Sequence, residues 1–192
     1  MRKVVVSTYV TLDGVIEDPG GTGEFEHAGW SIPFFNDEAE KYANDQLFAS
    51  DALLLGRQTY LEFAAAWPTQ AWVESEGDFA TRMNTLPKYV VSTTLEEPLE
   101  WNNSSLLKGD PAEEVSKLKQ QAGQDILMYS SATLMDTLMS HGLIDEYRIW
   151  IHPLVLGSGK RLFKDGAAAK LKLVDSTSLK SGVAVLTYTP AD

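Results

Sequence analysis

A set of short, unbroken apolar runs limits this chain more than any other feature. Val4–Tyr9, Ala52–Leu55, Tyr89–Ser92, Ile126–Tyr129, Tyr147–Leu156 and Val183–Tyr188 are rich in Val, Ile, Leu and Tyr and show little polar alternation. A strand of this kind has no face to offer water, so it must be covered on both sides.

The cover comes from segments of helical period between the runs. From Asp37 to Phe48, the residues Ala39, Tyr42, Ala43 and Leu47 share a face, with Asn36 placed as N-cap. Asp110 caps a helix from Pro111 to about Ala122, Glu113 completes a capping box, and Gly123 stops it. Further helices are expected over Glu76–Leu86 and from Ala132 to His141. Strand and helix in alternation give an α/β fold with mostly parallel pairing. No convincing helix separates 147–156 from 183–188, so these two runs are expected to form an antiparallel pair at the C-terminal edge. With 192 residues and no linker or repeat, 1–192 reads as a single domain.

Composition removes several chemistries. Lys and Arg total 16 against 27 Asp and Glu, a net charge of −11 that disfavours nucleic acid as a partner. A small anion remains possible, because a few N–H groups and one Arg hold a phosphate against the global field. The absence of Cys excludes disulfides, thiol nucleophiles and Cys-based metal sites. No apolar run approaches the 18 or so residues that span a membrane, and the N-terminus lacks a signal-peptide pattern, so a soluble cytoplasmic protein is expected. The three histidines show no metal-ligand spacing, and no metal is expected. Gly157-Ser158-Gly159-Lys160 fails as a phosphate loop, since Leu154 stands where the first glycine is needed.

Three segments lie where ligands bind in open α/β sheets, at the carboxyl ends of strands. Gly56-Arg57-Gln58-Thr59 joins a strand to a helix, offering close backbone approach, free N–H groups and a guanidinium. Ser130-Ser131-Ala132-Thr133-Leu134 repeats the pattern, although Ser131 could simply cap its helix. Ser92 and Thr93 put hydroxyls at a third strand end, where a plain turn is the alternative. Between Asp13 and Asn36 a long, glycine-rich and mobile loop is expected, and loops of this length are often functional.

In this order the segments resemble the dihydrofolate reductase-like superfamily, and within it the stand-alone relatives of the reductase domain of riboflavin biosynthesis. The carriers are Thr11-Leu12-Asp13-Gly14, Leu55-Gly56-Arg57-Gln58-Thr59-Tyr60, Ser131-Ala132-Thr133-Leu134, and Gly142–Arg148 running through His152-Pro153-Leu154-Val155-Leu156-Gly157-Ser158-Gly159-Lys160-Arg161-Leu162-Phe163. The resemblance implies a three-layer fold, a mixed sheet with helices on both faces, and an NADPH-dependent reductase of a small molecule similar to 5-amino-6-(5-phosphoribosylamino)uracil reductase. It implies that Gly56, Arg57, Gln58, Thr59, Ser92 and Thr93 hold the adenosine phosphate. Ser130, Ser131, Ala132, Thr133 and Leu134 would hold the pyrophosphate, and Val15 and Ile16 would flank the nicotinamide. Relatives carry Gly where this chain has Ser130. The first strand opens directly on the reductase pattern, so a protein other than the bifunctional riboflavin enzyme is expected.

Reduction of a C=N or C=O bond needs a proton donor. The candidates are Asp37, with a first-turn helix carboxylate as its alternative, and Asp13, with a turn former as its alternative. Trp30, Phe34 and Tyr60 are candidates for lining the substrate cleft. Dihydrofolate reduction and a non-catalytic nucleotide-binding protein that kept the fold are the competing readings. A homodimer is expected from the resemblance and from the apolar stretch Ile149–Leu156, read as a sheet edge that a second copy would cover.

Overall fold

The first strand, β1 (Val4–Thr11), is buried at nearly every position, so the sheet around it carries helices on both faces. The computed structural model describes residues 1–191. Further strands are β2 (Ser50–Gly56), β3 (Lys88–Val91), β4 (Ser104–Leu107), β5 (Asp125–Tyr129), β6 (Glu146–His152), β7 (Leu171–Ser178) and β8 (Ala184–Pro190). They form one sheet in the order β4-β3-β2-β5-β1-β6-β8-β7. Pairing is parallel from β4 to β6 and antiparallel for β6–β8 and β8–β7.

One face is covered by α1 (Asp37–Phe48), α2 (Arg57–Ala66) and α3 (Gln70–Thr85), whose Leu47, Tyr60 and Met83 pack with Val5, Leu53, Leu55 and Leu127. The other is covered by α4 (Pro111–Gln120) and α5 (Ala132–Ser140), through Val115, Leu118, Leu134, Met135 and Leu138. The helix starts follow the capping chemistry. Asn36 accepts from the Ala39 N–H at 3.0 Å, and Asp110 from those of Ala112 and Glu113 at 2.9 and 3.1 Å. Among the described residues no helix is long and apolar enough to cross a membrane.

Several boundaries differ from the sequence expectation. β6 ends at His152, not Leu156, because Pro153 has no N–H to continue the ladder. It lies between β1 and β8, so Ile149–Ile151 is interior and the sheet edge is β7. β4 and β7 were not expected: β4 is four residues long, and β7 (LKLVDSTS) is mostly exposed and lacks an apolar run. α3 begins six residues before the expected Glu76, crossing a kink at Gly77 (φ 53°). The long loop before α1 is tied down. Asp18 accepts from the N–H groups of Thr22 and Gly23 at 2.7 and 2.8 Å, and the Trp30 indole donates to the Glu17 carbonyl at 2.7 Å.

The register creates the opening that the site uses. Ser7 pairs with Tyr129, the last residue of β5, while β1 continues through Thr8–Thr11 paired only with β6. Ladder pairing on the β5 side of β1 therefore ends four residues, roughly 13 Å, before the strand does. The Thr11 N–H donates instead to the Val15 carbonyl, and the Thr11 carbonyl accepts from the Gly14 N–H.

At the opposite end of the sheet, Lys88 is fully buried and among the described residues has no carboxylate partner. Its ammonium donates to the carbonyls of Asn84, Leu86 and Asn102 at 3.0, 2.8 and 2.9 Å and sits 4.4 Å from the Trp101 ring centre. Burial lowers its pKa from 10.5 to about 8. Between those values the unfolded chain holds the extra proton, so stability rises with pH over that window, by roughly 3 kcal/mol at most. Above pH 10 buried tyrosines act oppositely: Tyr147, pushed up by burial to about 12, loses stability there as pH rises. Urea unfolding from pH 7.5 to 10 should show an increase in wild type that Lys88→Met lacks. An equal slope in both proteins would refute this account.

Candidate active site

Two helices begin side by side at the strand ends, and one hydroxyl joins them. The Gly56 N–H, at the N-cap of α2, donates to Ser131 Oγ at 3.0 Å. Thr59 Oγ1 lies 2.9 Å from the same oxygen, which also sits 3.2 Å from the Tyr129 carbonyl. A Cβ on Gly56 would lie 3.2 Å from the Ser131 side chain, so glycine permits the approach. Ser131 therefore does not cap α5, as its alternative reading held. Among the described residues neither helix start has a side-chain cap, so first-turn N–H groups of both lack a capping side chain at the junction where Ser131 meets Gly56.

The connection to α5 is held in an unfavourable conformation. Ser130 (φ 44°) and Ser131 (φ 59°) are successive left-handed residues with side chains, each costing on the order of 1 kcal/mol. The Ser130 N–H bonds to the Ser7 carbonyl at 3.1 Å and anchors this turn to β1.

Arg57 is exposed at the start of α2, Gln58 is engaged by Glu62 at 2.9 Å, and Thr59 is buried. Ser92 accepts from the N–H groups of Thr94 and Leu95 at 3.2 and 3.1 Å, while Thr93 is exposed. Ala132 is half-buried and Thr133 exposed in the first turn of α5, whereas Leu134 has its side chain in the core and presents only backbone. Val15 is fully buried against the turn at Gly159, so its side chain has no free surface; Ile16 is half-buried.

Asp13 is not placed as an acid. Its carboxylate accepts from Thr11 Oγ1 at 2.6 Å and from the N–H groups of Gly157 and Leu156 at 2.8 and 3.2 Å. These bonds, led by the Thr11 hydroxyl, hold its pKa down at about 2. Asp37 is exposed in the first turn of α1.

These strand ends can be set beside those of known proteins. The model of the RibD C-terminal domain matches residues 2–185. The chain belongs to the RibD C-terminal domain family. The Bacillus subtilis protein YyaP, itself uncharacterized, is 34% identical over 188 residues, 97% of this chain and 94% of that protein. A putative riboflavin biosynthesis protein from Shewanella sp. PV-4 superposes with a TM-score of 0.75 at 22% identity, covering 99% of each chain. Dihydrofolate reductase from Enterococcus faecalis, complexed with NADP(H), gives 0.60 at 13% identity over 99% of this chain and 97% of that one. The fold is dihydrofolate reductase-like, with helices on both faces and antiparallel C-terminal strands.

In this RibD C-terminal domain the aromatic residues divide. Trp30 and Phe34 set their rings edge-on to His152, with centres 5.0 and 5.6 Å away, and Tyr9 lies 5.1 Å from it. Tyr60, expected in the cleft, is a core residue whose hydroxyl accepts from the Trp101 N–H at 3.2 Å. His152, buried at the end of β6, was not singled out. Its Nδ1 lies 3.0 Å from the Trp150 carbonyl and so carries the proton, while desolvation lowers its pKa. The adjoining His152-Pro153 pair, which ends the strand, is the signal that could have marked it. A cavity of about 310 Å³, lined by Val10, Ile151 and Phe163, adjoins Thr11 and Gly14; a larger one of about 480 Å³ lies away from the strand ends, between α1 and Arg148 and Thr187.

Ser131→Ala removes the acceptor of the Gly56 N–H and should lower stability by about 1–2 kcal/mol. Thr133→Ala, exposed two residues later, should change it by less than about 0.5 kcal/mol. Equal effects in chemical denaturation would show that the shared hydroxyl is not the link.

Proposed function

We propose that this protein is an NADPH-dependent reductase acting on a small heterocyclic or carbonyl substrate. The observation that carries the reading is the meeting of two helix starts without side-chain caps at the Ser131–Gly56 bond, with the exposed Arg57 at the first position of α2. Backbone N–H groups at two helix N-termini suit a pyrophosphate, and a forked cation suits a further phosphate. NADPH bound there supplies a hydride. Family membership supports a reductase, and the riboflavin biosynthesis protein and the NADP(H) complex noted above belong to the same fold. With Asp13 locked to backbone donors, Asp37 is the carboxylate still free to serve as proton donor.

NADPH at about 100 times its dissociation constant should stabilise the fold by roughly 2.7 kcal/mol, a thermal shift of roughly 5–10 °C. Arg57→Ala should weaken NADPH by roughly 10- to 100-fold, because a charge-assisted hydrogen bond is worth about 1.5–3 kcal/mol. NADH, which lacks the 2′-phosphate, should bind both proteins alike. No shift at millimolar NADPH would remove the reductase reading, and equal losses for both cofactors would make Arg57 structural.

We also propose that two copies associate through β7. Among the described residues nothing pairs with its outer edge, and Leu173 and Val174 are half exposed at a bulge in its pairing with β8. An antiparallel pairing of β7 with its own copy about these residues sets Lys172 against Asp175 twice. Light scattering should give twice the chain mass of 21.2 kDa, and Val174→Lys should return it to the single value. A wild-type mass of one chain at micromolar concentration would overturn this.

A further inference from the structure

The turn over Gly157–Arg161 contains glycines that fail as a phosphate loop, and the structure gives them a different use. Gly159 has φ +115°, and a Cβ there would lie 2.7 Å from Val15 Cγ1 and 2.9 Å from the Phe25 ring. Only glycine lets this turn press onto the segment that follows β1. The two are then laced by backbone bonds: Leu12 N–H to the Leu154 carbonyl, Ile16 N–H to that of Lys160, and Leu162 N–H to that of Gly14, at 2.8, 2.8 and 2.9 Å. Glu17 accepts from the Lys160 N–H at 2.9 Å, and the Arg161 guanidinium donates to the Asp13 carbonyl.

Among the described residues, Asp13 is the one carboxylate that bridges both segments and the strand end. Its oxygens take the Leu156 and Gly157 N–H groups on one side and the Thr11 hydroxyl on the other. That hydroxyl in turn accepts from the Val15 N–H at 2.9 Å. One carboxylate thus reaches, through one hydroxyl, the backbone of the residue beside Ile16. We propose that Asp13 is a positioning residue: with Thr11 it locks the Leu12–Glu17 strap to the Leu154–Arg161 turn and so fixes Val15 and Ile16 beside the cofactor. The cofactor half of this inference rests on the reading of the strand ends as an NADPH site; the lock itself does not.

Hydrogen exchange of the free, full-length protein tests the lock, and NADPH dissociation followed by nicotinamide fluorescence tests the positioning. Asp13→Ala and Thr11→Val should each accelerate exchange in residues 12–17 and 154–161 together and speed NADPH release by roughly 10-fold. The double variant should fall short of the sum of the two single effects, because both single variants remove the Thr11–Asp13 bond. Thr11→Ser should restore both readouts. Arg57→Ala should weaken NADPH without changing exchange, and its effect should add to that of Asp13→Ala. Lys88→Met, a purely structural change far from the strand ends, should lower the melting temperature but leave release unchanged. If Asp13→Ala fails to fold, Asp13→Asn, which keeps one acceptor, should show the same pattern more weakly. Unchanged exchange at 154–161 in Asp13→Ala would overturn the lock. Faster exchange in both segments with unaltered NADPH release would overturn the positioning role. Failure of wild type to bind NADPH would remove the reductase reading and the positioning role together, leaving coupled exchange as the mark of a structural clamp only.

Discussion

Every feature at the strand ends depends on β5 stopping at Tyr129 while β1, its neighbour, runs on to Thr11. β5 pairs with β2 on its other side, so its end brings the start of α5 beside the start of α2. The Ser131 hydroxyl then bonds to the Gly56 N–H across that junction. Had β5 continued with β1, ladder bonds would have replaced the turn in which the Ser130 N–H bonds to the Ser7 carbonyl. A parallel sheet buried on both faces can expose polar backbone only at its ends, and here one end is stepped.

The step has a conformational cost, carried by two serines. Ser130 and Ser131 both lie in the left-handed region, where glycine would be nearly free of strain. Ser131 recovers part of that cost through its bonds to Gly56 and Thr59, which glycine could not make. Ser130 bonds through its backbone to Ser7, a bond glycine would keep. The compensated serine is thus Ser131, whereas the position where relatives carry glycine is 130, and nothing in the structure accounts for the side chain there.

The core and the helix caps were readable because they are set by local chemistry. Continuous apolar runs marked the interior strands, and Asn36 and Asp110 marked helix starts where their side chains accept first-turn N–H groups. β7 was not readable, because an edge strand with one partner and two wet faces carries no apolar signature. The gap between α2 and α5 was visible as paired strand-to-helix turns, but the bond between Ser131 and Gly56 spans 75 positions and leaves no local trace. Asp13 shows the same limit. An Asp before Gly reads as a turn former, while its partners Leu156 and Gly157 lie 143 and 144 positions away. His152 is set among Tyr9, Trp30 and Phe34 by pairing between distant strands and a docked loop, none of it periodic.

Long-range placement also resolves a conflict of charge. A chain of net charge −11 is a poor receptor for a phosphate-rich ligand unless its carboxylates are kept from the receiving surface. The two acids of the strap are both occupied. Asp13 is surrounded by donors from Thr11, Leu156 and Gly157, and Glu17 by the Lys160 N–H at 2.9 Å with the Lys160 ammonium 3.7 Å away. Each donor offsets part of a negative charge that would otherwise oppose an anion, and the bonds point the carboxylates at the 154–161 turn. Arg57, by contrast, is exposed and makes no ion pair among the described residues. At a Debye length of about 8 Å exposed charges farther off are largely screened, whereas N–H dipoles at a helix start act at contact distance. The local field at the strand ends can therefore be positive on a protein that is strongly negative as a whole, and the loop contacts that order the strap are the same ones that remove its charge.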